Sequence, residues 1–490
     1  MLIKKTRSLC PACKTVIDAE IAEEEGRIWL KRTCPDHGNF RNLYWSDPAT
    51  YHRFNEYDAV GNGIANPQNT TAAPDSCPTA CGLCKNHHSQ TLLANIDLTN
   101  RCNLNCDFCF ANARACGFVY EPSFDEVVSM LELLRSEKPV PAPAVQFSGG
   151  EPTMRDDLFA IIRMAKQMGF KQVQIATNGI RIADDPAYAQ ALKDTGLNTV
   201  YLHFDGVSRE TNPFLKKHLK AVENLKAVRL GAVLVPTIIK GRNDHEIGEI
   251  IRFAANNVST IRGVNFQPVA FTGAASDEDL KKSRITIPDV LDKIEAQMGG
   301  ILKKDDFYPV PCVLPFSDLV EAYTGKPQVR FTAHQHCGAA TYVFVQDDGI
   351  VPVNRMVNVE SFFGTIELMT DELKKGGGTL NKYKALLEGV KNMHDSVRES
   401  EQADTTEFWK IIGKTLIGQN FEALREFHWN ALFIGTMHFM DRYNYDLDRV
   451  SRCCIHYATP DGKLIPFCTY NSGPVYREQG WKKFAKVPEK

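Results

Sequence analysis

Within ten residues, Arg101 to Phe110, the chain sets Cys102, Cys106 and Cys109 at the spacing Cys-x3-Cys-x2-Cys. Three thiolates on one short loop suit iron. A [4Fe–4S] cluster is usually held by four cysteines, so a compact set of three leaves one iron open for a small-molecule ligand. A zinc knuckle is the competing chemistry for the same spacing. The fifteen cysteines of this 490-residue chain are grouped: Cys10, Cys13 and Cys34; Cys77, Cys81 and Cys84; the central trio with Cys116; then Cys312, Cys337, Cys453, Cys454 and Cys468. The N-terminus carries no charged-then-apolar leader, so a cytoplasmic protein is expected. There thiols stay reduced, and grouped cysteines bind metals rather than form disulfides.

The first group predicts a mononuclear site. Cys10-Pro-Ala-Cys13 and Cys34-Pro-Asp-His37 have the spacing of a Cys3His set for zinc, or of a rubredoxin-like iron, and a metal supplies what a segment of this size lacks in core. His37 is the ligand with the weakest claim, because a histidine before glycine also suits a surface turn. Cys77-Pro-Thr-Ala-Cys81-Gly-Leu-Cys84 repeats the x3, x2 spacing and predicts an auxiliary cluster whose fourth ligand is open between His87, His88, Cys116 and a non-protein group. Cys312, Cys337, Cys453 and Cys468 each lie near turn residues and are expected to converge on a second auxiliary cluster, with Cys454 the alternative to Cys453. Burial as small hydrophobes is the bland reading of these last cysteines.

These ligands need elements to position them. Leu92–Leu98, Ala144–Phe147, Gln172–Ala176, Val200–Phe204, Ala232–Pro236 and Val264–Pro268 read as strands separated by amphipathic helices, the pattern of a parallel sheet. The clearest helix starts at Ser123, where Glu126 completes a capping box and Phe124, Val127, Val128, Leu131 and Leu134 recur at helical spacing. The fold class is therefore α/β, a partial (β/α)6 TIM-type barrel with the chemistry on the loops at the strand C-termini. It follows an N-terminal metal-stapled module (1–60) and a linker with the first auxiliary motif (61–91). The barrel spans 92–270, and an α-rich auxiliary-cluster and substrate-binding domain spans 271–490. In that last part Gly364–Ser396 and Thr405–Leu447 read as helical, the second rich in apolar residues such as Phe408, Trp409, Phe421, Leu432, Phe433, Ile434 and Met437. Core packing is the default for such a stretch; a wall for long hydrocarbon chains is the sharper reading.

With Cys-x3-Cys-x2-Cys after the first strand and Ser148-Gly149-Gly150-Glu151-Pro152 after the second, the sequence resembles the radical S-adenosylmethionine (SAM) superfamily. The resemblance implies that the open iron chelates the methionyl group, with reductive cleavage giving a 5′-deoxyadenosyl radical. Cys102, Cys106 and Cys109 would be its catalytic residues. Phe108, Gly149, Gly150, Glu151, Asn178, Asp205 and Gln267 would be cofactor-binding, with the Glu151 carboxylate accepting from the methionyl ammonium. Each of the weaker motifs also reads as a turn or a satisfied buried polar group, and His203 is given that bland reading. Over Cys10 to Asn471 the order of motifs further resembles the archaeal tetraether lipid synthases. That resemblance implies one SAM-binding and two auxiliary [4Fe–4S] clusters, a mononuclear zinc or iron, a ferredoxin- or flavodoxin-type electron donor and a long-chain lipid substrate whose terminal methyl carbons are coupled. The alternatives are fatty-acyl coupling, pterin-type methylation and, from another class, an iron–sulfur electron carrier.

Composition excludes little: 43% hydrophobic and 24% charged residues are ordinary globular values, and a net charge of −2 gives no reason to expect nucleic acid. No apolar run approaches the roughly 18 residues of a span, so contact with a membrane is expected to be peripheral, at its inner face.

Overall fold

The computed structural model describes residues 1–68, 77–111, 117–272, 277–346, 349–376, 389, 431–473 and 476–486. Cys116, the stretch 405–430 and most of 377–396 lie outside the described residues.

The N-terminal segment is an antiparallel sheet in the order β1 (Leu2–Leu9), β2 (Val16–Glu24), β3 (Arg27–Cys34) and β4 (Gly38–Trp45). Glu25 and Gly26, both at positive φ, make the two-residue turn that matches the twist of β2 and β3. Ile21, Ile28, Leu30 and Trp45 are buried with Tyr51 and Phe54 of the helix Pro48–Asn55. Asp47 caps that helix by accepting from the amides of Ala49 and Thr50.

The expected strands are present: β5 (Leu93–Thr99), β6 (Ala144–Gly149), β7 (Gln172–Thr177), β8 (Thr199–His203), β9 (Gly231–Val235) and β10 (Ile261–Pro268). They lie side by side in chain order, all parallel. Helices between them carry the crossovers, among them Phe124–Arg135 with its Ser123–Glu126 capping box. Successive residues alternate between sheet faces. Ala94, Ile96, Val145, Phe147, Val173 and Ile175 are fully buried in the main core, while Asp97, Gln146, Ser148, Tyr201 and His203 turn to the opposite face and line a cleft.

The sheet continues beyond these six. On one edge β12 (Ala431–Met437) runs parallel to β10, with β11 (Gly338–Gln346) antiparallel outside it. On the other, β13 (Ile455–Thr459) runs parallel to β5 and forms a hairpin with β14 (Lys463–Pro466) through the Pro460-Asp461-Gly462 turn. With its shorter strands the sheet has 13 members and is mixed. The stretch Leu432–Met437 is therefore strand where helical spacing was expected. Leu432, Ile434 and Thr436 are buried on one face and Phe433 packs against Tyr342 on the other; a strand covered on both faces reads as an unbroken apolar run. The described part of 271–490 carries more helix than strand, with Val359–Lys374 its longest described helix, and it also supplies β11 to β14 to the shared sheet.

Candidate functional site

A cleft of about 300 Å³ opens at the carboxyl ends of β5 to β10, the end at which α/β sheets bind ligands. It brings together Cys102, Cys106, Cys109, Phe108, Gly149, Gly150, Glu151, Asn178 and Gln267, and adds Asp97, Tyr201, His203, Phe110, Phe439, Tyr457, Phe467 and Arg477. The Cys106 thiol is pushed up to about 11, by burial first and then by Cys109 and Cys102. Crowded thiols of this kind lose their protons most readily to a metal, so the donor set fits a cluster. The Leu104 amide lies 3.4 Å from Cys102 Sγ, placed to donate to it.

The loops on either side of Glu151 are tied together by its carboxylate. Its Oε1 accepts from the Thr153 amide (3.0 Å), Thr153 Oγ1 (2.6 Å) and Thr177 Oγ1 (2.7 Å), and its Oε2 accepts from the Asn178 amide (2.8 Å). Oε1 is saturated by three donors, while Oε2 takes one and keeps a second acceptor site, so Glu151 braces the loops after β6 and β7 and still lines the cleft. Asn178 extends the brace, donating from Nδ2 to Asn103 Oδ1 in the cysteine loop (2.7 Å). The glycines serve this same packing. Gly149 has φ +127°, and a Cβ there would sit 2.2 Å from the Thr99 carbonyl oxygen, while one on Gly150 would sit 2.4 Å from that of Arg101. Only glycine lets the Gly150 and Glu151 amides donate to those carbonyls, at 2.7 and 2.8 Å.

Asp205, expected at the cofactor, is not among the residues lining the cleft. It stands behind the lining, with Oδ1 accepting from the Thr237 amide at 2.8 Å and Oδ2 2.8 Å from His203 Nε2. Burial disfavours the His203 imidazolium, but Asp205 outweighs it and raises the histidine pKa. His203 thus pairs with a carboxylate side chain rather than with the backbone, and it faces the cleft, more than the bland reading gave it.

The opposite wall is aromatic. Phe439 stacks on Phe467 at 4.1 Å between centroids, Phe110 lies 5.6 Å from Phe467, and Tyr457 joins them at 5.3 Å. Beside this wall the buried Arg477 donates from Nη2 to Tyr457 Oη (2.9 Å), with Nη1 3.5 Å from Asp97. Sequence reading singled out neither Asp97 nor Arg477; a charged residue inside the strand Leu93–Thr99 was the available signal.

In the N-terminal sheet Cys10, Cys13, Cys34 and His37 place their ligand atoms within 4.8 Å of one another. Cys13 Sγ and Cys34 Sγ are 3.9 Å apart, and Cys34 Sγ is 3.5 Å from His37 Nδ1. Tetrahedral zinc with bonds of about 2.3 Å needs neighbouring sulfurs about 3.8 Å apart, so the four residues fit a mononuclear metal. The Lys14 amide donates to the Cys10 carbonyl, closing the knuckle between the first two cysteines.

The remaining cysteines divide differently from the expectation. Cys77 and Cys84 add to burial in raising the Cys81 thiol, and Cys453 acts on it too. Cys453 and Cys337 likewise add to burial in raising Cys468. Cys77, Cys81, Cys453 and Cys468 pack in one cluster with Met440 and Tyr445. Cys312 stands apart: burial alone pushes its thiol up to about 12, and it lines a separate surface cleft with Tyr57, Glu360 and Phe363. It follows a Pro-Val-Pro run in a 3-10 turn (Val310–Val313), and no other cysteine contributes to its raised pKa. Cys454 hydrogen-bonds toward Ser89 and Thr332, and Cys337 is near enough to add to burial in raising its thiol. His87 Nε2 is engaged with the Cys453 carbonyl (2.8 Å) and His456 Nε2 (3.0 Å). Arg449, 2% exposed, donates from Nη2 to the His438 carbonyl at 2.8 Å and lies by Cys337 and Cys468 as a buried counter-charge that the sequence did not announce.

Residues 96–254 match the Radical SAM superfamily and residues 2–46 the HMPTM N-terminal zinc ribbon domain. The chain is 46% identical over 495 aligned positions, 98% of its length and 96% of the relative's, to the 7,8-dihydro-6-hydroxymethylpterin dimethyltransferase of Methanocaldococcus jannaschii. The chain belongs to that radical SAM family. It is also 29% identical to the GTP 3′,8-cyclase of Aquifex aeolicus, over 44% of this chain and 66% of that one. Among solved structures, Streptococcus suis SuiB aligns with TM-score 0.36 at 18% identity, over 44% of this chain and 48% of that one. Membership of the superfamily implies a [4Fe–4S] cluster and SAM, and the zinc ribbon match accords with the Cys10, Cys13, Cys34 and His37 site.

Proposed function

We propose that the protein methylates a reduced pterin by radical SAM chemistry, its substrate being 7,8-dihydro-6-hydroxymethylpterin or a close analogue. The observation that carries this is the 46% identity to an enzyme named for that reaction along nearly the whole chain. The cleft agrees with it. A flat heterocycle suits a wall of Phe110, Phe439 and Phe467 faced by hydrogen-bonding groups from β5 to β10, since aromatic faces and convergent polar groups together fix such a ring. Lipid coupling, expected from the sequence, has no support. The relative is named for a pterin.

When bound, the [4Fe–4S] cluster and SAM supply a 5′-deoxyadenosyl radical. Cys102, Cys106 and Cys109 would hold the cluster. Asn178 and Gln267 would position SAM, and Phe108, Gly149 and Gly150 would shape its pocket, at the end of a sheet we read as an open (β/α)6 barrel. The chain's task beyond that is to keep the substrate ring fixed and water out, which the aromatic wall does on one side and the loops braced by Glu151 on the other. Cys77, Cys81 and Cys84, and separately Cys337, Cys453 and Cys468, would hold auxiliary clusters, with Cys312 not a ligand. The electron donor would be of the ferredoxin or flavodoxin type.

The test is anaerobic turnover of the reconstituted protein with SAM, reductant, a one-carbon donor and the reduced pterin. Methylated pterin and 5′-deoxyadenosine are expected in step. Deoxyadenosine without methylated pterin, or coupled lipid when lipid is supplied instead, would overturn the proposal.

A further inference from the structure

The helix Tyr476–Lys483 is fastened to two cysteine loops at once. Near its far end Trp481, 1% exposed, stacks on Tyr120 with centroids 5.6 Å apart and planes at 17°, and Ala111 and Phe118 pack against the pair. The chain then continues as Ala485–Lys486, antiparallel to Val119–Tyr120. These contacts hold the segment that follows Cys102, Cys106 and Cys109. Arg477, one turn back, lines the cleft itself and donates from Nη2 to Tyr457 Oη at 2.9 Å.

The first residue of the helix meets the other loop. Tyr476 packs in one group with Cys77, Cys81 and Cys468. Its hydroxyl accepts from the Cys81 amide at 2.7 Å and has the Pro78 carbonyl, also at 2.7 Å, and the Thr79 carbonyl as its acceptors. Backbone groups of Pro78, Thr79 and Cys81 thus converge on one side-chain oxygen, 395 residues along the chain from Cys81. A hydroxyl can accept and donate in this way at the same time. In the SAM-cluster loop an amide is left for sulfur, that of Leu104 toward Cys102 Sγ. Here the Cys81 amide is taken by oxygen instead. Hydrogen bonds to cluster sulfurs and exposure to water both tune the reduction potential of an iron–sulfur cluster, so what this hydroxyl withholds has an electrochemical consequence.

We propose that Tyr476 is a positioning residue for the cluster of Cys77, Cys81 and Cys84: its hydroxyl fixes the turn Pro78–Cys81, keeps the Cys81 amide off sulfur, and so holds that cluster at a lower potential than a freed loop would have. This rests on the reading that the three cysteines hold an auxiliary cluster. It is independent of which substrate fills the cleft.

The experiment is an anaerobic redox titration of the reconstituted full chain, followed by EPR, in wild type, Tyr476→Phe and Lys482→Ala. Cys84→Ala identifies the signal that belongs to this cluster. Phenylalanine keeps the ring and removes the oxygen, and the released amide then turns to sulfur or the loop opens to water; each favours the more negative, reduced cluster. The reduction equilibrium in Tyr476→Phe is expected to shift roughly tenfold toward the reduced form, a rise of about 59 mV for one electron. The SAM-cluster signal and SAM affinity should be unchanged, and Lys482→Ala, at an exposed position of the same helix, should match wild type. An unmoved potential in Tyr476→Phe would overturn the proposal, as would an equal shift in the SAM-cluster signal. If Tyr476→Phe does not fold, Tyr476→3-fluorotyrosine decides, because it keeps the hydroxyl but makes its oxygen a poorer acceptor: a smaller rise upholds the assignment and no rise refutes it. Cys84→Ala with full iron content and every signal present would instead overturn the auxiliary-cluster reading beneath it.

Discussion

At the scale of single residues, the cleft is held by polar side chains that spend their hydrogen bonds on one another. Glu151 is the clearest case. In Glu151→Gln one oxygen becomes an NH2, and a donor then faces a donor, the Asn178 amide or the Thr153 and Thr177 groups. A destabilisation of about 1 to 3 kcal/mol is expected, read as a lower unfolding midpoint with SAM absent; an unchanged midpoint would show the brace to be dispensable. For His203, burial opposes the charged ring and Asp205 overcomes it, so its pKa is raised. A histidine so raised contributes stability in full below its unfolded pKa of about 6.5, and the contribution is lost as pH rises through the folded value. Asp205→Asn should lower the His203 pKa, as followed by the ring proton shifts in NMR; an unmoved titration would deny the pairing. The cysteines and the Gly-Gly-Glu run were legible because their chemistry lies in a few consecutive residues. Arg477 and Arg449 were not, because an arginine in an amphipathic stretch reads as a solvated charge until the fold buries it.

At the scale of elements, contiguous motifs survive and assembled ones do not. The six parallel strands were legible because each is a short, largely apolar or alternating segment between turn signals, and a motif follows each of the first four. The strand Ala431–Met437 was hidden by its own burial, which removes the alternation that marks a strand. The make-up of the second cysteine set was not legible for a related reason: between distant cysteines, sequence carries no distance, and Cys312, in the turn Val310–Val313, lines a different cleft from the one lined by Cys102, Cys106 and Cys109. This division predicts metal content. Cys312→Ala should leave iron and sulfide per chain unchanged after reconstitution, whereas Cys337→Ala or Cys453→Ala should lower both. Equal losses in all three would restore the four-cysteine set.

The whole molecule is fastened by carboxylates that join its parts, Asp441 and Asp446 fully buried and Asp448 partly exposed. Lys4 of β1 pairs with Asp446 (3.4 Å) and Asp448 (2.8 Å), and Tyr44 Oη donates to Asp446 at 3.0 Å, so the N-terminal sheet is tied to the segment before β13. Arg284 grips Asp441 with both Nη atoms, at 2.8 and 2.9 Å. Burial alone would raise the pKa of these three carboxyls, yet their cationic and hydrogen-bonding partners hold them below the usual range. A depressed carboxyl stabilises the fold above its unfolded pKa, about 3.9, and the contribution is lost as pH falls through the folded value. The urea midpoint should therefore hold from pH 7 to about pH 5 and drop steeply below pH 4. Asp441→Asn should flatten the drop, and an equally steep one would place the acid sensitivity elsewhere.

The strands that close the two edges of the large sheet have a further consequence, for synthesis. β12 and β13 come from residues 431–437 and 455–459, far along the chain from the strands they cover, β10 and β5. While the ribosome is still making them, the six central strands stand with both outer rows of backbone N–H and C=O groups bare, a template for joining a neighbouring nascent chain. Cys453 and Cys468 also arrive in that final stretch, after Cys77 and Cys102 have long been exposed. Sealing the sheet and completing the cysteine set thus fall at the same late moment, and in the cell the chain depends until then on being kept from its copies.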